Sequence, residues 1–446
     1  MSAQPRLAQG MRTFTTIWFG QLISTLGSSL SSFALGVWIY DQTGSATLFA
    51  ISMFSWILPT ILFAPVAGVL ADRWDRRIVM ILADSMAGVA TLAIGLLVFN
   101  DGLQVWQIYV ANFFFSLANT LQWPAYSAAT SLMVPKKHLG RAGGMAQIGD
   151  ALSLLLAPAA AGALYVNFGL KPVLLVDIIT YLFALGSLLL VRFPQPERSA
   201  DGSASQGSFL KEALFGWHYI RQRKGLLRLQ IVLAGLNFCI SITIPLFTPM
   251  ILEMTRPDVL GYMTSIISAG MLVGTLIMSV WGGFKRRTNG SYFGESLIGL
   301  STILTGLVTS LPLITAAQFL GLFALPIANG STQAIWQSKV AQDVQGRVFS
   351  VRRMIAFSIM PFAYLISGPL AEKVFTPLLL EGGALAGSLG KVFGVGPGRG
   401  IGLMFTTFGL LYLLIAQNLF FNRHIHTLED KLPDAVAESD NIDQAS

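Results

Sequence analysis

The stretch GVLADRWDRR (residues 68–77) is a short charged segment between two long apolar runs. Asp72 can accept hydrogen bonds from the free amides at the start of a neighbouring helix, where the helix dipole favours a negative charge. Arg73, Arg76 and Arg77 can pair with acids or with lipid phosphates, and Gly68 allows two helices to approach closely. The stretch is therefore predicted to be a gating loop. Anchoring by positive charge alone would explain the arginines, but not Gly68 and Asp72.

Apolar runs long enough to cross a membrane lie on both sides of this loop. A membrane helix needs about 20 mostly apolar residues. The first six runs lie at about 14–38, 47–71, 78–99, 104–134, 142–166 and 172–191, and the second six at about 229–252, 259–284, 291–310, 312–338, 348–370 and 401–421. Only 11% of the 446 residues are charged, whereas a soluble domain has about 25%. The sequence thus predicts an all-α membrane protein with twelve transmembrane helices in two six-helix bundles.

The positive charges predict the orientation of the chain, because cytoplasmic loops carry an excess of Lys and Arg. With the N-terminus inside, 24 of the 29 Lys and Arg residues fall on the cytoplasmic side. The opposite side receives Lys171, Arg256, Lys373, Lys391 and Arg399. We therefore expect both termini in the cytoplasm and the chain in the plasma membrane, in contact with the lipid bilayer.

The two bundles are predicted at residues 1–191 and 229–421. The linker 192–228 contains FLKEALFGWHYIRQRKG, which predicts an amphipathic helix on the inner membrane surface or a solvated linker helix. The glycine-rich segment 374–400 does not match the spacing of a phosphate loop, and we expect an outer cap or a partly embedded hairpin. The acidic tail 422–446 is predicted to be disordered.

Related loops at related places predict an internal duplication. VPKKHLGR (134–141) resembles VAQDVQGR (340–347), and LADRWDRR (70–77) resembles VWGGFKRR (280–287). The last of these segments is a candidate second gating loop with Gly283, Arg286 and Arg287. Duplicated helices with related loops are typical of transporters built from repeats.

Several classes of function are disfavoured by the rest of the composition. The single cysteine, Cys239, excludes a disulfide framework, and the four histidines lie near segment ends or in the tail. We therefore expect no metal, no cofactor and no enzyme activity. Although the net charge is +7, the charges lie between apolar segments, so nucleic acid is not an expected partner.

The decapeptide 68–77 resembles the loop motif of the major facilitator superfamily, Gly-x-Leu-Ala-Asp-Arg-x-Gly-Arg-Arg/Lys. Nine of the ten positions match, and Asp75 stands where the family usually has glycine. The resemblance implies a secondary transporter that works by alternating access around a central cavity, and we expect a monomer.

The helix GMAQIGDALSLLLAPAAAG (144–162) resembles the antiporter motif of the same superfamily. Gly144, Pro158 and Gly162 match, and 367–369 (Ser-Gly-Pro) is a shorter echo. Small residues permit close packing, and an ordinary packed helix is the alternative interpretation. Among facilitators this motif implies export.

The segments 18–21 (WFGQ), 25–28 (TLGS) and 40–45 (YDQTGS) resemble the drug:proton antiporter branch, which includes macrolide and siderophore exporters. Because Ser28 stands where that branch often has aspartate, a coupling role does not carry over to this position.

Polar side chains within apolar spans are functional candidates by default. The resemblance implies that the first, fourth, seventh and tenth spans line the cavity, and the substrate candidates there are Gln21, Asn112, Phe115, Asn119, Gln122, Trp123, Asn237, Asn329, Gln333 and Trp336. Hydrogen bonding between helices is the alternative role for the polar ones. For proton coupling we expect Asp150 first, then Asp84, then Asp177.

These features together predict a secondary active transporter that exports an amphipathic small molecule, such as a drug, a macrolide-like metabolite or a siderophore, by proton antiport. A lysophospholipid flippase and a non-transporting membrane scaffold or sensor are the alternatives.

Overall fold

The computed structural model describes residues 11–135, 138–190, 209–341 and 344–432. Within these ranges, nothing is described of the side chains at 12, 65–66, 68–69, 71–73, 76, 128, 131–132, 139–140, 190 and 209–214. The secondary structure of the described residues is helical, without strands.

The first part of the chain forms six long helices: α1 (Met11–Thr43), α2 (Ala46–Arg73), α3 (Arg76–Phe99), α4 (Val105–Met133), α5 (Leu139–Phe168) and α6 (Leu170–Leu190). Local chemistry sets their ends. The Ser45 hydroxyl accepts the Leu48 amide at the start of α2, as a helix-capping residue does. Gly169, with a φ of 75°, ends α5.

The second part begins with α7 (Phe209–Gln222), α8 (Lys224–Thr243), a 3-10 turn (Ile244–Leu246), α9 (Phe247–Leu252), α10 (Pro257–Trp281), α11 (Arg287–Leu307) and α12 (Leu311–Lys339). It continues with α13 (Gln345–Ser358), α14 (Met360–Leu370), a π-helical turn (Ala371–Phe375), α15 (Thr376–Leu379), α16 (Gly390–Phe393), α17 (Arg399–Phe421), α18 (Arg423–His426) and α19 (Leu428–Lys431). The break between α13 and α14 lies at Ile359, two residues before Pro361, which has no amide hydrogen to continue the helix.

Helical segments occupy all twelve predicted spans, and the predicted all-α membrane fold is confirmed. Ten of them are long and apolar enough to cross a membrane by length and composition. α4 and α11 are not among the ten. The predicted boundaries of the two bundles stay a prediction.

The chain divides into two compact units. Unit 1 contains the described residues of Met1–Ser199, together with Pro245–Ile266 and Tyr364–Val374. Its core is formed by apolar side chains of α1, α3, α4 and α6, among them the fully buried Ile39, Ile108 and Val173. In the orientation predicted from charge, the inner ends of the helices face the cytoplasm and the outer ends face the opposite side.

Unit 2 contains the described residues of Ala200–Ile244, Ile267–Ala363 and Phe375–Ser446. Its core is built mainly from α8, α11, α12 and α17. The predicted linker helix, α7, adds the fully buried Ile220 to this core, and a Cβ at Gly216 would lie 2.7 Å from the Arg347 carbonyl oxygen of α13. The alternative prediction of a solvated linker helix is therefore wrong for the face of α7 that carries Gly216 and Ile220. Trp217 on the same helix is 42% exposed.

The prediction of a disordered tail is wrong for its first part. Residues 422–432 form the short helices α18 and α19, in which Ile425 and Leu428 are buried against unit 2. The acidic composition predicted disorder, but the burial of these two apolar side chains in the core of unit 2 stabilises an ordered conformation. Residues 433–446 lie outside the described residues.

Residues 375–400 of the predicted outer segment pack as a cap on unit 2, whereas Val374 belongs to unit 1. Leu379 and Phe393 form an apolar cluster with Leu403 of α17. Arg399 is 7% exposed and donates to the Phe393 carbonyl, which joins the cap to the start of α17.

Candidate transport site and gates

Only part of the first predicted gating loop can be followed at side-chain level. The side chains of Asp72, Arg73 and Arg76, and the surroundings of Gly68, lie outside the described residues. Arg77 donates to the carbonyl oxygens of Leu188 (3.3 Å) and Leu189 (2.9 Å) at the inner end of α6. This arrangement suits a cation, because the carbonyl end of a helix carries partial negative charge.

The loop departs from the family motif at Asp75, where the family usually has glycine, and the structure shows why aspartate fits there. Its side chain accepts the Arg77 amide at 2.8 Å and caps α3. The φ angle of Asp75 is −59°, a value open to any residue, so glycine is not required at this turn.

The second predicted gating loop makes a larger set of contacts, all within unit 2. Gly283 has a φ of 89°, a conformation that favours glycine. Arg286 forms an ion pair with Asp430 at 2.8 Å and also donates to the His426 carbonyl. Arg287 donates to the Ala334 carbonyl of α12 at 2.8 Å. The loop is thus held by α12 and by the C-terminal helices.

Three candidates from different helices form a polar cluster around a buried carboxylate in unit 1. Gln21 of α1 donates to Asp84 of α3 at 3.0 Å, and Gln122 of α4 donates to Asp84 at 2.6 Å. Gln122 also donates to the Gln21 side-chain oxygen at 2.7 Å. Asp84 is 5% exposed, and among the described residues it has no cationic partner within ion-pair distance. Its carboxylate is therefore held by neutral amides.

The other two predicted coupling acids have different surroundings. Asp177 of α6 is 1% exposed and accepts from Ser28 at 3.1 Å and Thr91 at 3.3 Å. Ser28 stands where the drug:proton antiporter branch often has aspartate. It donates instead to a carboxylate on another helix, that of Asp177. Asp150, the first choice from sequence, is exposed on α5 and has no hydrogen-bond partner among the described residues.

The remaining substrate candidates are not brought together into one cluster. Asn112 donates to the Ser52 hydroxyl of α2 at 2.7 Å, which is the predicted alternative of helix–helix bonding. Phe115 packs against an apolar core cluster. Asn119, Trp123 and Asn329 are exposed, and Asn237 is half-buried.

The contacts of an arginine in unit 2 were missed by sequence reasoning. Arg352 of α13 donates to the Gln333 side-chain oxygen at 2.8 Å, and its guanidinium lies 5.1 Å from the ring centroid of Trp336. Trp336 is fully buried in the core, so it does not line an open cavity as expected. Only the fold shows that Gln333 is the polar partner of Arg352.

A buried acid in unit 2 was also missed. Glu295 of α11 is 7% exposed and accepts a hydrogen bond from the Tyr412 hydroxyl of α17. The position of Glu295 inside a predicted span is a sequence signal that could have placed it among the candidates.

The antiporter-like motif of α5 contacts α10 closely within unit 1. A Cβ at Gly162 would lie 2.5 Å from the Pro257 carbonyl oxygen, and a Cβ at Gly261 would overlap with the Pro158 carbonyl. The Ala159 amide donates to the Ser265 hydroxyl at 3.2 Å. Gly144 has no neighbouring heavy atom within 4 Å of an added Cβ, so close packing involves Pro158 and Gly162 but not Gly144.

Comparison with known proteins agrees with this architecture. The family model of the Major Facilitator Superfamily matches residues 17–365. Macrolide efflux protein A of Streptococcus pyogenes is 28% identical over 375 residues, which cover 81% of this chain and 90% of the relative. The multidrug efflux pump Tap of Mycobacterium bovis is 23% identical over 366 residues, which cover 80% of this chain and 86% of the relative.

Solved transporter structures share the fold. The crystal structure of a bacterial homologue of the human lysosomal transporter Spinster, inward-facing and unoccupied, has a TM-score of 0.67 at 14% identity and covers 94% of this chain and 98% of its own. A POT family transporter in complex with a thioalcohol-conjugated peptide has a TM-score of 0.68 at 15% identity and covers 93% and 96%.

The apolar helices together with the match to the family model define a multi-pass membrane transporter. The chain belongs to the Major Facilitator Superfamily, and its relatives include macrolide and multidrug efflux proteins. The predicted family and the resemblance to the drug-exporting branch are confirmed.

Proposed function

We propose that the protein exports an amphipathic small molecule of the macrolide-like or drug class in exchange for protons, by alternating access. The relatives named for macrolide and multidrug efflux support export. In this proposal the termini are cytoplasmic, the two arginine-rich loops act as gates on that side, and the chain acts as a monomer in the plasma membrane.

The Asp84 cluster is the observation that carries the proton-coupling part of the proposal. Asp84 is buried and is hydrogen-bonded by the neutral side chains of Gln21 and Gln122, without a cationic partner among the described residues. Gln21 and Gln122 can serve both forms, since an amide offers hydrogen-bond donors to the carboxylate and an acceptor oxygen to the acid. Protonation of Asp84 would therefore rearrange hydrogen bonds among α1, α3 and α4.

The geometry favours Asp84 over Asp150 as the proton carrier. Asp150 has no hydrogen-bond partner among the described residues, so its protonation would leave the hydrogen bonds of its neighbours unchanged. Asp84 is hydrogen-bonded to Gln21 and Gln122, which are two of the predicted substrate candidates. Protonation of Asp84 would therefore directly change the hydrogen bonds of side chains that are predicted to line the cavity.

The test is transport in proteoliposomes with and without a pH gradient. Asp84→Asn is expected to abolish uphill, gradient-driven efflux and to preserve downhill substrate exchange. Asp177→Asn is the comparison variant, because it neutralises a second buried acid that is held by neutral partners in the same unit. It should keep gradient-driven efflux, and its loss in Asp177→Asn alone would assign coupling to Asp177 instead. Loss of both activities in Asp84→Asn would indicate a structural role, and retention of both would return the choice to Asp150.

A further inference from the structure

The amino end of α2 receives a carboxylate from a distant part of the chain. Glu372, in the π-helical turn after α14, accepts hydrogen bonds from the Ser45 hydroxyl at 2.8 Å and from the Thr47 amide at 2.9 Å. Its second oxygen accepts from the Thr47 hydroxyl at 2.7 Å. All three groups lie in unit 1 and are half-buried. A negative charge at this end of a helix is stabilised by the helix dipole.

Backbone packing one turn earlier brings Glu372 into reach. A Cβ at Gly368 would overlap with the Cα of Thr47, so only glycine permits this approach of α14 to α2. Gly368 belongs to the Ser-Gly-Pro echo of the antiporter-like motif, which the proposed function leaves without a role. The π-helical turn at Ala371–Phe375 follows directly, and such wide turns often occur at functional sites.

Two further contacts at the predicted outer ends also join the first and second halves of the sequence. Tyr40, near the end of α1, donates to the Glu253 carboxylate after α9. The α5–α10 crossing at Gly162 and Gly261 adds a third contact between the first and second halves of the sequence. Both carboxylates come from the second half, and the hydroxyl groups that they accept from belong to the first half.

We propose that Glu372 is an outer lock: its hydrogen bonds to Ser45 and Thr47 hold the outer ends of α2 and α14 together, and transport requires their release in every cycle. The inference rests on the proposed alternating access. Hydroxyl and amide donors at a half-buried position can exchange the carboxylate for water, so the contact can open without stranding a buried group. A permanent tertiary contact is the competing explanation.

The experiment measures how often the outer contact opens. A cysteine replaces Ser265 in a Cys239→Ser background, and intact cells are labelled with a membrane-impermeant maleimide. Ser265 is 8% exposed in the α5–α10 crossing and does not contact Glu372, so its labelling rate reports opening at a separate place. Membrane abundance of every variant is measured in parallel.

Two variants remove the lock in different ways. Glu372→Gln removes the charge and Thr47→Val removes one hydroxyl at nearly constant shape. Because loss of a hydrogen bond to a charged group changes an equilibrium about tenfold, we expect about tenfold faster labelling in both variants. Thr47→Ser keeps the hydroxyl, and Glu381→Gln removes a charge from the exposed part of the same outer segment, so both controls should label as the parent does.

Unchanged labelling in Glu372→Gln and Thr47→Val would overturn the lock. If Glu372→Gln does not accumulate in the membrane, the comparison of Thr47→Val with Thr47→Ser decides alone. The readout does not depend on efflux. Faster labelling in a protein that exports nothing would therefore support the lock and contradict the proposed function. Efflux with unchanged labelling would support the proposed function and contradict the lock.

Discussion

Substitution of Glu429 by alanine should destabilise unit 2 through the amino end of α11. The Glu429 carboxylate accepts the amides of Arg287 at 3.2 Å and Thr288 at 2.6 Å, and alanine removes both bonds. A capping side chain contributes about 0.5–2 kcal/mol, and a negative charge at a helix start contributes about 0.3–1 kcal/mol. Because the Glu429 carbonyl still accepts from Lys339 at 2.7 Å, the segment keeps its main-chain anchor. We therefore expect a loss of about 1–3 kcal/mol.

The chain contains its own reporter for this loss. Cys239 is the single cysteine and is 1% exposed in the core of unit 2, so a thiol-reactive fluorophore in detergent labels it when that unit unfolds. A change of 1 kcal/mol shifts the midpoint of a domain of 150–250 residues by about 2–4 °C. The midpoint of Glu429→Ala should thus fall by several degrees.

Two neighbouring acids provide graded controls. Asp430→Ala breaks only the ion pair with Arg286, in which the Asp430 side chain is 63% exposed, and such surface pairs contribute about 0–1 kcal/mol. Glu438→Ala removes the same charge farther along the tail and should have no effect. If Glu429→Ala and Glu438→Ala unfold at the same temperature, the capping argument is refuted.

Three further outcomes are expected. In a Cys239→Ser background, Ser388→Cys should label with an impermeant thiol reagent in intact cells and Ser203→Cys should not; equal labelling would contradict the orientation predicted from charge. Asp72→Asn should lower efflux at unchanged membrane abundance, because a hydrogen bond to a charged group is worth about 1.5–3 kcal/mol; wild-type efflux would leave only the anchoring explanation. Gly162→Ala should lower thermal stability by about 1–3 kcal/mol, since its Cβ would lie 2.5 Å from the Pro257 carbonyl, whereas Gly144→Ala, with no such neighbour, should be neutral or slightly stabilising; equal effects would sink the packing argument.

The helices could be predicted from the sequence because each membrane span needs a long apolar run. The order of the C-terminal segment could not be predicted, because it depends on contacts with residues far away in the sequence. Ile425 and Leu428 are buried in the core of unit 2, and Glu429 accepts hydrogen bonds at the start of α11. Composition alone carries no such long-range information. The acidic character of the tail therefore predicted disorder where part of it is packed.

The candidate site shows the same limit at the level of single side chains. Gln21, Asp84 and Gln122 could each be selected from sequence as polar residues within apolar spans. Their grouping could not, because it depends on which residues of α1, α3 and α4 share one level in the packed bundle. Glu372 was passed over, because a charge at the end of a span is ordinary in a membrane protein. Only its three donors mark it as a candidate.

The surroundings of the acids separate a proton carrier from a lock on physical grounds. A carboxylate paired with a buried arginine would make a poor carrier, because each protonation would leave the partner charge uncompensated at a cost of about 3–5 kcal/mol. Asp84 avoids this cost, since amide side chains can donate to the charged form and accept from the neutral one. Glu372 is bound in part by a main-chain amide, which can only donate. Three hydrogen bonds donated to one carboxylate favour its charged form, so the contact is released when the carboxylate moves away from its donors, as a lock requires.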